Sequence, residues 1–241
     1  MKLVRLRAPA SLENLQWAEE DRPEPGPGEL LVRIRATSLN VHDDMVVQGR
    51  IPCADGRIPL SDSAGEVIAV GDDVDEFRPG DNVVSTFYPY WLADDMTPTT
   101  RRDIPGDSID GYARDYVCMP AQAFTKAPEG YTHVEAATLP CAGVTAWRGL
   151  VVCGQVKLGD TVLILGTGGV SVFALQFAKA AGARIIATSS SDEKLEKLKR
   201  LGADVVINYK AVPNWGQRVK DLTDGYGVDH VIEVGGPGTL M

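Results

Sequence analysis

The sequence is short of basic charge, of cysteine and of long apolar runs, and each shortage removes a class of function. Lysine and arginine number 24 against 33 aspartates and glutamates, so the formal charge is 24 − 33 = −9 and the pI is about 4.9. Nucleic acid is therefore not expected as a partner, because phosphate binding wants basic patches. The four cysteines, Cys53, Cys118, Cys141 and Cys153, contain no C-x-x-C pair and no zinc-site spacing. Met1 to Ala8 lacks an apolar h-region and does not read as a signal peptide, so a cytoplasmic protein with reduced thiols is expected. Thr161 to Ala178 carries no charge, but its glycines and a mid-segment change of apolar period argue against a membrane span. No charge run suggests a tail, and no repeat or low-complexity tract is present.

What is there is ordinary globular material. The 241 residues, 44% of them hydrophobic, suggest one large or two modest domains with ample core. The first half reads as short strands punctuated by Gly and Pro: Met1–Ala8, Leu30–Ala36, Gly65–Val70 and Asn82–Phe87. The connector Pro23 to Gly28 and the turn Arg78 to Asp81 separate them. This texture suggests a small β-barrel or rolled sheet. From about residue 130 strands alternate with helices. Strands are expected at Thr161–Leu165, Arg184–Thr188, Asp204–Asn208 and Val228–Val234. A helix carries the stripe Val170, Phe173, Ala174, Phe177, Ala178 and Ala181, and others span Asp192–Leu201 and 213–223. The second ends at Gly202 as a C-cap. Such alternation makes βαβ units and a parallel sheet. A six-stranded dinucleotide fold would need two further strands, so the chain reads as truncated after its fourth.

Leu163 to Ser171 is the most informative stretch: a strand ends, glycines turn the chain, and a helix begins. In this turn, Gly166, Thr167, Gly168, Gly169 and Val170, the first glycine permits a tight bend. The second lets backbone approach a pyrophosphate at a helix N-terminus. Ser171 stands where G-x-G-x-x-G wants its third glycine. The second strand ends in Ser189, Ser190 and Ser191 with no carboxylate at its tip. Hydroxyl donors and Lys194 could then hold a 2′-phosphate, which predicts NADP. NAD is the alternative if Asp192 swings in, and Ser190-x-x-Glu193 also reads as a capping box.

The series A-G-x-V at Ala64–Val67, Gly80-Asp81, Leu139 to Trp147, Val156 to Asp160 and the glycine turn resembles the medium-chain dehydrogenase/reductase superfamily. The likeness is to its quinone-oxidoreductase-like and alcohol-dehydrogenase-like members. The resemblance covers the whole chain. It implies an α/β protein with a GroES-like β-barrel catalytic domain, residues 1–128. A Rossmann-type doubly wound parallel sheet follows, residues 129–241, incomplete at the C-terminus. Members are longer and dimerise through an edge strand that would be missing here, so dimerisation by that route is not expected. Zinc-dependent members carry a Cys in the segment matching Ser38 to Asp43, and Gly-His-Glu where this chain has Leu60-Ser61-Asp62. With Asn40 in the Cys position and no structural-zinc cysteines, no zinc is expected.

The resemblance also implies roles. Asn40 would hydrogen-bond a carbonyl substrate. His42 would donate a proton, or else cap a loop or bind ribose. Asp43 would join them at the site or merely orient a turn. Thr145 would reach the nicotinamide carboxamide, its alternative being helix packing. Tyr209 would lie on the adenine side, and Val234 completes the cofactor-binding set. Phe87, Tyr88, Tyr90 and Trp91 would line the substrate pocket or simply pack. The polar insert to Asp110, including Thr97 to Arg102, reads as a lid. Cys141, His133 and His230 are expected in packing roles. The expected activity is metal-free hydride transfer from NADPH to a quinone or α,β-unsaturated carbonyl. A zinc-free alcohol dehydrogenase or carbonyl reductase is the alternative, and a nucleotide-binding protein with little turnover is another.

Overall fold

The computed structural model describes residues 1–91, 93, 97 and 103–236, so most of the Thr97–Arg102 segment lies outside the described residues. Tertiary contacts divide the chain into two compact units, Met1–Cys141 and Ala142–Met241. The first contains β1 (Lys2–Leu6), β2 (Leu15–Glu19), β3 (Glu29–Ala36), α1 (Val41–Val47) and β4 (Ala64–Val70). It continues through β5 (Asn82–Ser85), β6 (Tyr116–Pro120), β7 (Phe124–Lys126) and the short α2 (His133–Ala136).

Five of these strands form an antiparallel sheet in the order β6-β3-β4-β5-β7, while β1 and β2 pair as a ribbon. The edge strands β6 and β7 are separated in the chain only by residues 121–123. At about 3.4 Å per residue the step from Pro120 to Phe124 spans at most ~14 Å. Crossing a flat five-strand sheet takes about 19 Å at ~4.8 Å per strand gap. The sheet therefore rolls on itself, as the short punctuated strands suggest. Leu30, Val32, Val67, Val83, Val117, Met119 and Phe124 fill it around the fully buried Tyr112. Removing each such aliphatic from water contributes about 1.5–3 kcal/mol. The Pro23–Gly28 connector is pinned at Gly71, where a Cβ would lie 1.8 Å from the Gly26 carbonyl oxygen. β5 stops at Ser85, short of the predicted Phe87; one further bond, from Thr86 N to the Ala123 carbonyl, follows the same register.

The second unit holds α3 (Val144–Trp147), β8 (Thr161–Leu165), α4 (Gly169–Ala180), β9 (Arg184–Ser189) and α5 (Asp192–Leu201). After these come β10 (Val205–Asn208), α6 (Trp215–Asp221) and β11 (His230–Ile232). Its four strands are parallel, in the order β10-β9-β8-β11. Alternate residues of each strand face opposite ways. Val162, Ile164, Ile185 and Ala187 pack with α4 and α5, whereas Leu163, Leu165, Ile186 and Ile207 pack with Val219 and Trp215 of α6. Both faces are thus covered by helix, the doubly wound arrangement. α5 ends where expected, at Gly202 with φ 110°. The last helix and strand are shorter than the spacing predicts. Asp229, predicted inside the strand, instead accepts the Thr161 N–H through its side chain at 2.7 Å and fixes the strand's entry.

Candidate active site

In the first unit the chain leaves β3 extended and enters α1 through Asn40, whose φ of −111° and ψ of 160° suit an N-cap. Asp43 sits three residues on. Its Oδ2 accepts the Asn40 N–H at 2.8 Å in a capping box, and its Oδ1 accepts the Ser61 N–H at 2.8 Å. Asp43 is buried and ties the start of α1 to the 60–63 segment. Its structural role is thus to orient the turn.

The segment it ties down is strained. Leu60 has φ 78°, a left-handed conformation that costs a non-glycine residue about 1–2 kcal/mol. Gly111 packs so close that a Cβ there would lie 2.2 Å from the Leu60 carbonyl oxygen, and Tyr112 N donates to that oxygen at 2.9 Å. This clamp carries Ser61, Asp62 and Ser63 into the interior, each at most 1% exposed.

Asp62 is the centre of the cluster. Its Oδ2 accepts three hydrogen bonds: from Ser38 Oγ at 2.9 Å, from Asn40 Nδ2 at 2.9 Å and from Cys141 N at 3.2 Å. Its Oδ1 is buried without a partner among the described residues. Burial pushes the carboxyl up to about 6, the charge of Asp43 adding to this and the three hydrogen bonds opposing it. Sequence reasoning treated Ser61-Asp62 only as lost zinc ligands and missed this hub. A carboxylate inside the otherwise uncharged run Ile58 to Gly65 was the available signal.

His42, two residues past Asn40, places Nε2 3.2 Å from Asp107 Oδ2. Burial pushes Asp107 up, but hydrogen bonds from His42 and Ser108 outweigh it and hold the carboxyl below its usual range. The His42 ring meets Phe87 edge-on at 5.3 Å, Phe87 meets Tyr88 at 4.9 Å, and Tyr88 meets Trp91 at 6.1 Å. Three of the four predicted pocket aromatics thus form a chain of edge contacts ending on His42. Tyr90 is exposed and outside that chain. Cys141 is half-buried rather than packed in the core.

In the second unit the glycine turn follows β8. Gly166 has φ 82° and a Cβ there would meet nothing nearer than 4.0 Å. A Cβ at Gly168 would meet nothing within 4 Å, so the turn leaves a cradle that side chains would fill. Gly168 is the N-cap of α4, and the helix start offers N–H groups with no intrahelical acceptor. Ser171 explains the missing third glycine. Buried at the first turn of α4, its Oγ donates to the Leu165 carbonyl at 2.9 Å and fastens helix to strand. A Cβ at Gly169 would lie 3.1 Å from the Ala142 Cβ. Thr145, three residues beyond Ala142, is exposed.

The tip of β9 gathers more of the predicted set. Tyr209 N donates to the Ser189 carbonyl at 3.1 Å, so Ser189, buried, and Tyr209, partly exposed, lie together. Asp192 Oδ1, on the acid that would favour NAD, accepts from Asn208 Nδ2 at 2.6 Å. The N-cap of α5 is Ser191, without a side-chain cap bond, and Glu193 pairs with Lys197 at 2.7 Å. The capping box read at Ser190-x-x-Glu193 is therefore not formed: the helix starts one residue later. Ser190 is half-buried and Lys194 exposed at this tip. Val234 is half exposed, two residues beyond β11, whose Ile232 pairs with Ile164 of β8. His230 and His133 hold structural contacts, to Asp160 Oδ2 and Asn82 Oδ1, both at 2.9 Å.

Residues 26–129 match the alcohol dehydrogenase GroES-like domain, and residues 169–241 match the family described as zinc-binding dehydrogenase. A zinc-type alcohol dehydrogenase-like protein of Schizosaccharomyces pombe is 46% identical over 236 residues, covering 96% of this chain and 68% of the relative. The chain belongs to the medium-chain dehydrogenase/reductase superfamily. Among solved members of the superfamily, an NAD-dependent alcohol dehydrogenase is 37% identical with a TM-score of 0.87, covering 96% of this chain and 70% of the other. A quinone oxidoreductase of Pseudomonas syringae pv. Tomato is 30% identical with a TM-score of 0.82, covering 99% and 68%. The chain is an oxidoreductase of this superfamily. Among the described residues, no helix is long and apolar enough to cross a membrane.

The superfamily's zinc is not suited to these residues. Zinc needs three or four converging lone pairs. Asp62 Oδ2 already accepts three bonds, which leaves Oδ1 as that residue's one open donor atom, and Asn40 turns its NH2 group, not its carbonyl, towards Oδ2. Burial, helped by Asp62 and Asp43, pushes the Cys141 thiol up to about 12, which opposes the thiolate a metal would require. Among the described residues no three His, Cys, Asp or Glu side chains gather as a metal site.

Proposed function

We propose that this chain is a metal-free, NADPH-dependent oxidoreductase that reduces a quinone or an α,β-unsaturated carbonyl. The observation that carries the proposal is the hydrogen-bonded cluster of Ser38, Asn40, Asp62 and Cys141 N, in which Asn40 and Asp62 occupy positions that the family resemblance matches to the zinc motif. When bound, NADPH supplies a hydride from nicotinamide C4.

The chain's own residues do the rest. The glycine turn at 166–170 and the start of α4 bind the pyrophosphate. Ser189, Ser190 and Lys194 hold the 2′-phosphate, and Tyr209 flanks the adenine. Thr145 and Val234 position the nicotinamide end. The β9 tip carries serines rather than a carboxylate, and Asn208 engages one oxygen of the nearby Asp192, which supports NADP over NAD. The Asn40 amide donates a hydrogen bond to the acceptor oxygen and polarises it. His42 in its imidazolium form, with Nε2 3.2 Å from Asp107 Oδ2, supplies the proton from Nδ1 and is left as the neutral ring. Phe87, Tyr88 and Trp91 offer aromatic surface to a flat acceptor.

The test is turnover with NADPH after exhaustive treatment with a chelator. The expected result is reduction of quinones or enones, unchanged by chelation, with no oxidation of primary alcohols. Activity on primary alcohols that is lost on chelation contradicts it.

A further inference from the structure

We infer that Asp62 is a positioning residue that aims the Asn40 amide at the acceptor. The inference rests on the acceptor reading above.

Two neighbours dictate the same orientation of the amide. The capping box directs the carbonyl end of Asn40 to the first turn of α1, and Asp62 Oδ2 takes one hydrogen of Nδ2 at 2.9 Å. The amide has two N–H donors. With one consumed by Asp62, the other is held in a fixed direction, and its donor strength is raised by the hydrogen bond that the Asn40 carbonyl accepts in the capping box. Ser38 Oγ and Cys141 N fix Asp62 in turn, from β3's exit and from residue 141. A carboxylate so deeply buried, with one oxygen left without a partner, is costly unless function retains it. The ionisable groups facing Asp62 are Asp43 from α1, Tyr112 and Cys141. Burial pushes Tyr112 above its usual range and Cys141 to about 12.

The experiment reads the Asn40 side-chain amide by 15N–1H NMR between pH 5 and 8. Its resonances are assigned by their loss in Asn40→Ala. Steady-state kinetics with a quinone and NADPH run alongside. The wild-type amide should titrate near 6 and stop titrating in Asp62→Asn. That variant should lose on the order of 30-fold in kcat/KM, the loss of one charge-assisted hydrogen bond, with an unchanged Kd for NADPH. In the Asn40→Ala background the same change should cost less than about twofold, because coupled residues do not add. If Asp62→Asn does not fold, the wild-type titration and an acidic limb near 6 in its kcat/KM decide. An unmoved amide in an active enzyme overturns the inference alone, as does an equal loss in both backgrounds. A titrating amide in a chain that reduces no acceptor refutes the acceptor reading and reduces Asp62 to a structural cap.

Discussion

Substituting alanine at Gly168 separates what the fold needs from what a ligand needs. Gly168 has φ −74° and ψ 174°, a conformation open to any residue, and its added Cβ would meet nothing within 4 Å. The methyl group therefore costs the folded chain little. Losing a glycine N-cap disfavours alanine by up to about 1 kcal/mol, while restricting the unfolded chain returns about 0.4–1 kcal/mol. The net change in stability should lie within about 0.5 kcal/mol, roughly 2 °C in Tm for a domain of this size. If the open space is a pyrophosphate cradle, the methyl displaces one or two charge-assisted N–H contacts worth about 1.5–3 kcal/mol each. NADPH affinity should then fall at least about tenfold. The assay pairs thermal denaturation with an energy-transfer titration from tryptophan to NADPH. Gly166→Ala is the contrast, since at φ 82° it should lower stability by about 1–2 kcal/mol as well. An unchanged Kd in Gly168→Ala would refute the cradle. A large loss of Tm would refute the open space.

Other outcomes follow from the same geometry. Asp43→Ala strands two N–H groups that its carboxylate now satisfies and should cost about 3 kcal/mol in denaturant unfolding. Ser171→Gly restores the third glycine but removes the Oγ bond to the Leu165 carbonyl. It should destabilise by about 1–2 kcal/mol while NADPH Kd stays within about twofold. Lys157, aided by His230, holds the Asp160 carboxyl well below its usual 3.8. A depressed carboxylate stabilises above its unfolded value and loses that contribution as pH falls below it. The Tm gap between wild type and Asp160→Asn should therefore be full at pH 6 and close as pH drops from about 4 towards 2. A gap independent of pH would contradict that linkage.

The dinucleotide unit was legible because its signals are local. A strand buried on both faces, a 3.6-residue stripe and a C-cap glycine are each visible within a dozen residues, so α5 and Gly202 fall where expected. The barrel was legible as a class only. β6 and β7 owe their places to pairing across the sheet with β3 and β5, contacts distant in sequence. Asn40, His42 and Asp43 were found by likeness to a family motif. Their partners were not, because Asp62, Asp107 and Ser61 N reach them only through the fold. The Ser190–Glu193 box failed for a local reason: Ser191, one residue on, was an equally good N-cap.

The measurement that tests the account most directly is titration of the purified chain with NADPH and, separately, NADH, followed by addition of a quinone to the saturated complex. The account predicts saturable binding with NADPH tighter by at least ~10-fold, about 1.4 kcal/mol, and oxidation of the bound NADPH by the quinone. Tighter binding of NADH, or a saturated NADPH complex that no quinone or enone oxidises, would contradict it.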